Sequence, residues 1–346
     1  MARKTRILIV DDSGLMRKAV KDIFAANNAM EVVGEAVNGS EALRLIPRLS
    51  PDVIVLDVNM PGMDGITTLK HMMIQFPTPT IMLSTLTRDG ATVTFDSLKY
   101  GAVDFLAKPS SLAGDMRDQT AKITDKVATA AGVELEAMQF IRTGVRKSPA
   151  AAGTSDEIIK RIVIIGAAEG GYSALLKFIP GLDPGLSAAC IAILYAATEH
   201  IDAFVDYLDR CSELPVRRAA EGAPLKKGVC YIGSGDEYIT IREEDGEFLL
   251  HVSPAPFSTR RGAIDMLMLS TAELVGRKSV GVILSGTGDD GAEGLGEIIA
   301  HGGEAVVQKP RSCMYREMPE NALARCRTKF VVGDTGLAAA INLCCA

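Results

Sequence analysis

The first third of the chain alternates short apolar runs rich in β-branched residues with helical patterns, and this alternation restricts the possible folds more than any other feature. The helical patterns cover residues 14–26, 40–49, 65–75 and 89–99. The five apolar runs that flank them are "RILIV" (6–10), "EVVGEAV" (31–37), "DVIVLDV" (52–58), "PTIMLS" (79–84) and "AVDFLA" (102–107). Strands separated by helices predict a parallel, doubly wound sheet with right-handed crossovers. We therefore predict a five-stranded α/β domain at the N-terminus.

A second α/β rhythm follows a polar helical stretch, expected from about residue 115 to 139, and the segment "RTGVRKSPAAAGTSDE" (142–157). Its strand-like runs are "RIVIIG" (161–166), "AACIAILYA" (188–196), "GVCYIG" (228–233), "EFLLHV" (247–252), "SVGVILSG" (279–286) and "EAVVQ" (304–308). A chain of 346 residues is too long for one ordinary core. We predict an N-terminal domain at 1–125, a linker at 126–158 that is helical and then flexible, and a second parallel-sheet α/β domain at 159–346.

The composition argues against several classes of protein. The net charge is −6, so nucleic acid and anionic membranes should repel the chain as a whole. The apolar run near the N-terminus is too short for a signal sequence or a membrane span. The seven cysteines show neither metal-ligand nor disulfide-framework spacing. We expect a cytoplasmic protein with reduced thiols, no nucleic-acid partner and no membrane insertion.

Charged and hydroxyl side chains stand at the ends of four predicted strands of the N-terminal domain. Asp11 and Asp12 follow the first strand, Asp57 ends the third, Ser84 ends the fourth and Lys108 follows the fifth. The carboxyl ends of parallel strands meet at one sheet edge. Three carboxylates there repel each other unless a cation lies among them, and oxygen ligands suit Mg²⁺. Taken singly, the first two aspartates also fit a helix cap and the lysine a solvated loop. Together they predict a site that accepts a phosphoryl group.

The N-terminal region resembles a two-component receiver domain over about residues 4–125, through "ILIVDDS", "IVLDVNMPGMDG", "MLST" and "DFLAKP". The resemblance implies a flavodoxin-like fold with Asp57 as the phosphoacceptor. It also implies Mg²⁺ as the cofactor, held by Asp11, Asp12, Asp57 and the backbone carbonyl of Asn59.

The same resemblance implies a switch that responds to phosphorylation. Ser84 would be the switch hydroxyl, Lys108 the phosphate partner and Phe105 the rotating aromatic. A phosphatase of the haloacid-dehalogenase type also forms an aspartyl phosphate, but it needs a second acid two residues after the nucleophile. This sequence has Asn59 there, and we set that class aside.

The segment "IVIIGAAEGGYSALLKF" (162–178) has the pattern of a strand, a glycine-rich turn and a helix. In α/β proteins such a turn presents a nucleophile or binds an anion. Its tip, Ala168-Glu169, has neither a hydroxyl nor a thiol, and the acid would repel an anion. A second glycine-rich loop lies in "GVILSGTGDDGAEGL" (281–295), where closely spaced glycines allow backbone N–H groups to point at a ligand oxygen.

Four stretches of the C-terminal half resemble the effector domain of the chemotaxis protein-glutamate methylesterase family (CheB): "IGAAEGG", "YIGSGDE", "GVILSGTGDDGAEGL" and "SCMYREMPENA". That family also carries an N-terminal receiver, so the resemblance spans nearly the whole chain. It implies hydrolysis of glutamate methyl esters and deamidation of glutamines on chemoreceptor helices by a Ser–His–Asp arrangement. From the turn residues we expect a hairpin-like turn at 229–239 and a Met-Pro turn before a helix at 313–323.

The sequence departs from this family at the residues that would carry the chemistry. Ala168 stands at the position of the nucleophilic serine, Tyr195 at that of the histidine base, and only Asp290, the third member, is retained. The methionine between the two loop glycines is replaced by Thr287. An uncharged tyrosine is a poor base near neutrality because its pKa is about 10. Loss of either partner costs roughly a millionfold in turnover.

Three hypotheses follow from this pattern. The first is a phosphorylation-controlled, non-catalytic homologue that serves a chemotaxis-type histidine kinase and binds a chemoreceptor or another signalling protein. The second is an active methylesterase/deamidase with non-standard residues, for which Ser173 and His200 would have to reach one point. The third, a DNA-binding response regulator, fails because the chain is acidic and has no basic recognition helix. Glu169 is either a solvated turn acid or a group that mimics or repels the substrate's acid.

The linker prediction can be tested by limited proteolysis. We expect the first cuts within 142–157, giving two stable fragments, because Gly/Pro/Ser-rich stretches with few contacts are cleaved first. The cut sites can be read by mass spectrometry of the fragments. First cuts inside either sheet would contradict the domain assignment.

Overall fold

The computed structural model of the protein describes residues 3–84, 90–108, 116–135, 158–196, 198–254 and 262–346. The chain divides into two compact units, Met1–Met138 and Gln139–Ala346. The segment 142–157 lies outside the described residues, so the predicted linker and the exact domain boundaries stay predictions.

The N-terminal unit is built on a five-stranded parallel sheet in the order β2-β1-β3-β4-β5, which confirms the predicted flavodoxin-like architecture. The strands are β1 (Thr5–Val10), β2 (Met30–Ala36), β3 (Val53–Asp57), β4 (Thr80–Ser84) and β5 (Asp104–Ala107). The helices are α1 (Gly14–Ala25), α2 (Gly39–Leu49), α3 (Gly65–Gln75), α4 (Gly90–Lys99) and α5 (Met116–Ala131).

Side-chain caps begin the helices that follow the first three strands. Ser13, Asn38 and Asp64 each accept a hydrogen bond from a backbone N–H of the first helical turn, which satisfies an otherwise unpaired donor. Helix α5 ends at Ala131 instead of continuing to about residue 139. Gly132, which is a poor helix former, closes the last turn through its N–H to the carbonyl oxygen of Thr129.

The C-terminal unit contains a seven-stranded sheet in the order β14-β13-β12-β6-β7-β9-β8, with every pairing parallel. Its strands are β6 (Arg161–Ala167), β7 (Ala188–Leu194), β8 (Val216–Arg218), β9 (Cys230–Ser234), β12 (Ser279–Ile283), β13 (Glu304–Gln308) and β14 (Phe330–Val332). The helices are α6 (Gly171–Phe178), α7 (Thr198–Cys211), α8 (Ala263–Val275), α9 (Ala292–Ala300), α10 (Glu317–Arg325) and α11 (Leu337–Cys345). This confirms the predicted second parallel-sheet domain.

A separate antiparallel hairpin joins β10 (Glu237–Glu244) and β11 (Glu247–Pro254). Its turn is Asp245-Gly246, and both residues have positive φ, as a tight hairpin turn requires. At 229–239 a two-residue turn, Gly235-Asp236, joins β9 to β10 as expected, but the two strands do not form a hairpin: β9 pairs with β7 and β8, whereas β10 pairs with β11.

The expected Met-Pro turn before a helix is also corrected. Met318 and Pro319 are the second and third residues of α10. A proline is tolerated there because the first-turn N–H groups have no partner within the helix. Among the described residues no helix is long and apolar enough to cross a bilayer.

Two glycines at equivalent helix positions allow a matched test of how α3 packs beside Asp57. A Cβ on Gly65 would lie 2.1 Å from the backbone oxygen of Asp57, whereas one on Gly14 would meet nothing closer than the end of the Arg17 side chain at 3.6 Å. We expect Gly65→Ala to destabilise the protein by about 1–3 kcal/mol through overpacking. Gly14→Ala should change stability by no more than about 0.5 kcal/mol.

Thermal unfolding followed by calorimetry measures this difference. Equal midpoints for the two variants would contradict the close approach of α3 to the end of β3.

Candidate functional site

The three predicted aspartates meet at the carboxyl edge of the N-terminal sheet. One carboxylate oxygen from each of Asp11, Asp12 and Asp57 lies within 4.8 Å of the others. Asp11 and Asp57 are buried, with 0% and 1% of their surface exposed, and Asp12 is exposed. The convergence follows from the topology, because β1 and β3 are parallel neighbours.

Lys108 is the cation of this cluster. Its Nζ atom lies 2.8 Å from Asp57 Oδ2 and 3.3 Å from Asp11 Oδ2. Burial alone would lower the pKa of the Lys108 ammonium, but the two carboxylates outweigh it and the pKa lies above its ordinary value. The lysine therefore stays charged beside Asp57.

Asp57 is a buried carboxylate whose hydrogen-bonding capacity is not filled. Apart from the ammonium of Lys108, no described group makes a well-formed hydrogen bond to either carboxylate oxygen of Asp57 or to Asp11 Oδ2. Burial raises the pKa of Asp57 above its ordinary value; Lys108 opposes this shift and the Asp11 carboxylate adds to it. Two buried acids facing one lysine leave negative charge uncompensated, and this oxygen donor set fits Mg²⁺.

The predicted switch residues lie on the two neighbouring strands. Ser84 is the last residue of β4, and Phe105 lies on β5 and is half-buried. A residue that the sequence did not single out contacts the aromatic: Lys126 of α5. Its Nζ atom donates to the backbone oxygen of Phe105 at 3.1 Å, pairs with Asp104 Oδ2 at 2.7 Å and lies 5.5 Å from the centre of the Phe105 ring. The roles of Ser84, Phe105 and the Asn59 carbonyl stay predictions.

The turn after β6 is held tightly against the loop after β12. The N–H of Ala168 donates to the backbone oxygen of Ser285 at 3.0 Å. Gly170 has a φ of +79°, and a Cβ there would lie 2.6 Å from Ser285 Oγ, so only glycine fits. The methyl group of Ala168 is 4% exposed and faces Gly286, where an added Cβ would lie 2.7 Å away.

Tyr195 and Asp290 meet on the same edge of the seven-stranded sheet. The Tyr195 hydroxyl donates to Asp290 Oδ2 at 2.5 Å. Asp290 also accepts the N–H groups of Ile264 at 3.0 Å and Asp265 at 2.9 Å from the first turn of α8. Burial raises the pKa of the Tyr195 hydroxyl well above its ordinary value, and the Asp290 carboxylate adds to this. The hydroxyl is therefore a hydrogen-bond donor to the acid and keeps its proton.

An acidic cavity of 360 Å³ opens beside Asp290 and is also lined by Asp265, Asp289 and Arg325. Burial raises the pKa of the Asp265 carboxyl, and the neighbouring Asp290 contributes to the shift. The N–H of Gly294 donates to Asp265 at 2.7 Å, so this second acid is fixed against the start of α9.

The glycine loop 286–288 is bonded to two carboxylates of the chain itself. Glu169 Oε2 accepts both the N–H of Thr287 at 3.2 Å and its Oγ1 hydroxyl at 2.9 Å. Glu317 Oε2 accepts the N–H of Gly288 at 2.8 Å. The sequence analysis did not single out Glu317 or Ser285, although both lie within the quoted motifs, because their partners are distant in the chain.

The two residues considered as substitutes for nucleophile and base have different environments. Ser173 lies on the buried side of α6, whereas His200 is exposed near the start of α7. The structure brings Tyr195 and Asp290 together. It buries the side chain of Ala168 beside the glycine loop.

Comparisons with known proteins match both halves of the chain. A family model described as "CheB methylesterase" matches residues 163–341, and one described as "Response regulator receiver domain" matches residues 7–117. The chain is 34% identical to a protein-glutamate methylesterase/protein-glutamine glutaminase of Pyrococcus abyssi, over 95% of this chain and 90% of the relative. It is 32% identical to the protein of the same name from Thermotoga maritima, over 95% of each chain.

A solved structure supports the fold of the C-terminal unit. The crystal structure of the Thermotoga maritima CheB methylesterase catalytic domain has a TM-score of 0.51 at 24% identity and covers 53% of this chain and 97% of that chain. At this identity the likeness concerns the fold alone.

The raised pKa of Asp57 leads to a pH-dependent stability difference in the metal-free protein. A carboxyl whose folded pKa is raised binds its proton more tightly in the folded state, so stability falls as pH rises from the ordinary carboxyl pKa through the folded value. At neutral pH we expect Asp57→Asn to unfold at a higher temperature than the wild type. The difference should shrink when the pH is lowered to about 4 and when Mg²⁺ is added to the wild type.

Asp12→Asn, which removes the same charge from the exposed member of the cluster, is the matched control. A higher melting temperature for the wild type than for Asp57→Asn at neutral pH without metal would contradict the assignment.

Proposed function

The chain belongs to the CheB methylesterase family and carries a response regulator receiver domain at its N-terminus, and from this premise we propose a phosphorylation-controlled regulator of chemosensory signalling whose methylesterase-type site is not catalytic. A histidine kinase of the chemotaxis type is the proposed phosphodonor, as the receiver domain implies. The proposed binding partner is a chemoreceptor or another signalling protein. A cytoplasmic location stays a prediction.

Asp57 is the proposed phosphoacceptor because it ends β3 at the sheet edge where two other aspartates and Lys108 meet. Its carboxylate would attack the phosphorus of the kinase's phosphohistidine, the P–N bond would break and the imidazole would leave. The Lys108 ammonium, 2.8 Å from Asp57, would balance the charge of the phosphoryl oxygens. Mg²⁺, held by Asp11, Asp12, Asp57 and the carbonyl of Asn59, would supply further charge neutralisation when bound. Burial of Asp57 limits the access of water to the acyl phosphate.

The proposed switch passes from this cluster to the neighbouring strands. Once Asp57 is phosphorylated, the hydroxyl of Ser84 at the end of β4 would donate to a phosphoryl oxygen. Phe105 on the next strand would then change position. The contacts that Lys126 makes with the Phe105 backbone and ring support an aromatic whose position is controlled.

The loss of catalysis is proposed from one observation: the Tyr195 hydroxyl donates a hydrogen bond to Asp290. In a triad the acid orients a base that removes the nucleophile's proton. Here the acid is bound to a hydroxyl that keeps its proton, and the nucleophile position carries only the buried methyl group of Ala168. Neither group can perform its step.

The competing proposal is an active methylesterase/deamidase with other residues. The relatives that match the full chain carry that activity in their names, and Asp290 with the loop glycines is retained. It needs a nucleophile and a base that meet, and Ser173 is buried on α6 while His200 is exposed on α7. We therefore favour the regulatory proposal.

Phosphorylation tests the receiver half. With acetyl phosphate and Mg²⁺ we expect one phosphoryl group per chain, measured by intact-protein mass spectrometry, and none in Asp57→Ala or after metal chelation. Asp22→Ala removes an exposed carboxylate of α1 and should leave uptake unchanged. Uptake by Asp57→Ala at the wild-type rate would overturn the assignment.

A repair experiment tests the C-terminal half. Ala168→Ser alone should give little methanol release from methylated receptor, because an unassisted serine hydroxyl is a weak nucleophile. Tyr195→His alone supplies a base with nothing to activate. The double variant should exceed either single variant by far more than additivity allows, since Asp290 is placed to orient the new histidine. Strictly additive rates would show that the two positions do not form one unit.

A further inference from the structure

The side chain of Glu169 is bound to the glycine loop, not to solvent alone. Its Oε2 atom accepts both hydrogen-bond donors of Thr287, the backbone N–H and the hydroxyl. Because the next N–H, that of Gly288, is bonded to Glu317, both consecutive N–H groups of this loop already have carboxylate partners. The loop has the chemistry of an anion site, and the chain's own acids occupy it.

The backbone of Glu169 is also held in place. The buried hydroxyl of Ser285 donates to the carbonyl oxygen of Glu169 at 2.8 Å and accepts the N–H of Tyr315 at 3.1 Å. The N–H of Ser285 donates in turn to the Gln308 side chain at 2.8 Å. The turn therefore presents the Glu169 side chain from a fixed position.

The contact between Glu169 and Thr287 lies where an acyl substrate would need hydrogen-bond donors. Ala168, at the position of the nucleophile, has its methyl group against Gly286, and Thr287 is the next residue of that loop. If the carbon of an acyl group were attacked from position 168, the electron pair would move to its carbonyl oxygen. That oxygen would lie beside the Thr287 N–H, which is the kind of donor that stabilises an oxyanion.

We propose that Glu169 is an internal ligand of this loop, which closes the site to esters and carboxylates independently of the lost nucleophile. The inference rests on the proposed function for the identity of the site. An incoming oxygen must displace a carboxylate held by two hydrogen bonds, and an anionic ligand is also repelled by it. We expect the Glu169 side chain to weaken acetate binding at Thr287 by about tenfold or more, because a charge-assisted hydrogen bond is stronger than a neutral one.

Acetate binding to the full chain tests the closure without any catalysis. The probe signal is the amide resonance of Thr287 in ¹H–¹⁵N spectra recorded at constant ionic strength. In Glu169→Ala we expect a saturable acetate-dependent shift, and in the wild type no shift. Glu320→Ala, which removes an exposed carboxylate of α10 that does not contact the loop, should leave Thr287 unresponsive. Glu169→Gln keeps the length of the side chain and should respond more weakly than Glu169→Ala.

An equal response of Thr287 in the wild type and in Glu169→Ala, or no response in either, would overturn the proposal. The remaining amide resonances show whether each variant keeps its fold. If Glu169→Ala does not fold, the comparison of Glu169→Gln with the wild type decides.

Covalent labelling by a fluorophosphonate gives a second measurement in the repaired Ala168→Ser/Tyr195→His background. Adding Glu169→Ala should raise the labelling rate at least about tenfold, whereas adding Glu320→Ala, at an exposed position of α10, should leave it unchanged. An unchanged rate after loss of Glu169 contradicts the proposal. Absence of labelling in every background would contradict the repaired triad of the proposed function, and the acetate titration then decides the role of Glu169 alone.

Discussion

Parallel strand pairing is the constraint on which both candidate sites depend. In the C-terminal sheet β6 lies between β12 and β7, so the residues that follow these three strands come to one edge. Ala168 follows β6, Tyr195 follows β7 and the glycine loop with Asp290 follows β12. The contact between Tyr195 and Asp290 joins residues 95 positions apart because the sheet places them there. The same rule gathers Asp11, Asp57 and Lys108 in the N-terminal unit.

The acids of the two sites have opposite hydrogen-bonding environments. Asp57 is buried beside the Lys108 ammonium, its carboxylate oxygens otherwise make no well-formed hydrogen bond with the described residues, and burial raises its pKa. Asp290 is half-buried and has three donors: a tyrosine hydroxyl and two helix N–H groups. These bonds fix Asp290 to Tyr195 and to the first turn of α8. The two acids therefore differ in how far their hydrogen-bonding capacity is filled.

The sequence predicted the elements that repeat a simple pattern. The five parallel strands of the receiver sheet and the convergence of its three aspartates followed from β-branched runs and strand ends. The hairpin of β10 and β11 was not predicted, although its turn, Asp245-Gly246, is a common hairpin turn. The contacts of Lys126, Ser285 and Glu317 were not predictable, since each joins residues about 20 or more positions apart in the chain. The sequence alone did not distinguish the two interpretations of Glu169, because its contact with Thr287 joins residues 118 positions apart.

The most direct test of the account is methanol release from methylated chemoreceptor by the wild-type chain, with saturating phosphodonor and Mg²⁺. A catalytically active member of the family serves as the positive control in the same assay. We expect no release above a blank without protein, whether or not Asp57 is phosphorylated. Turnover near that of a typical enzyme, roughly ten per second, would contradict it and would require a nucleophile other than residue 168.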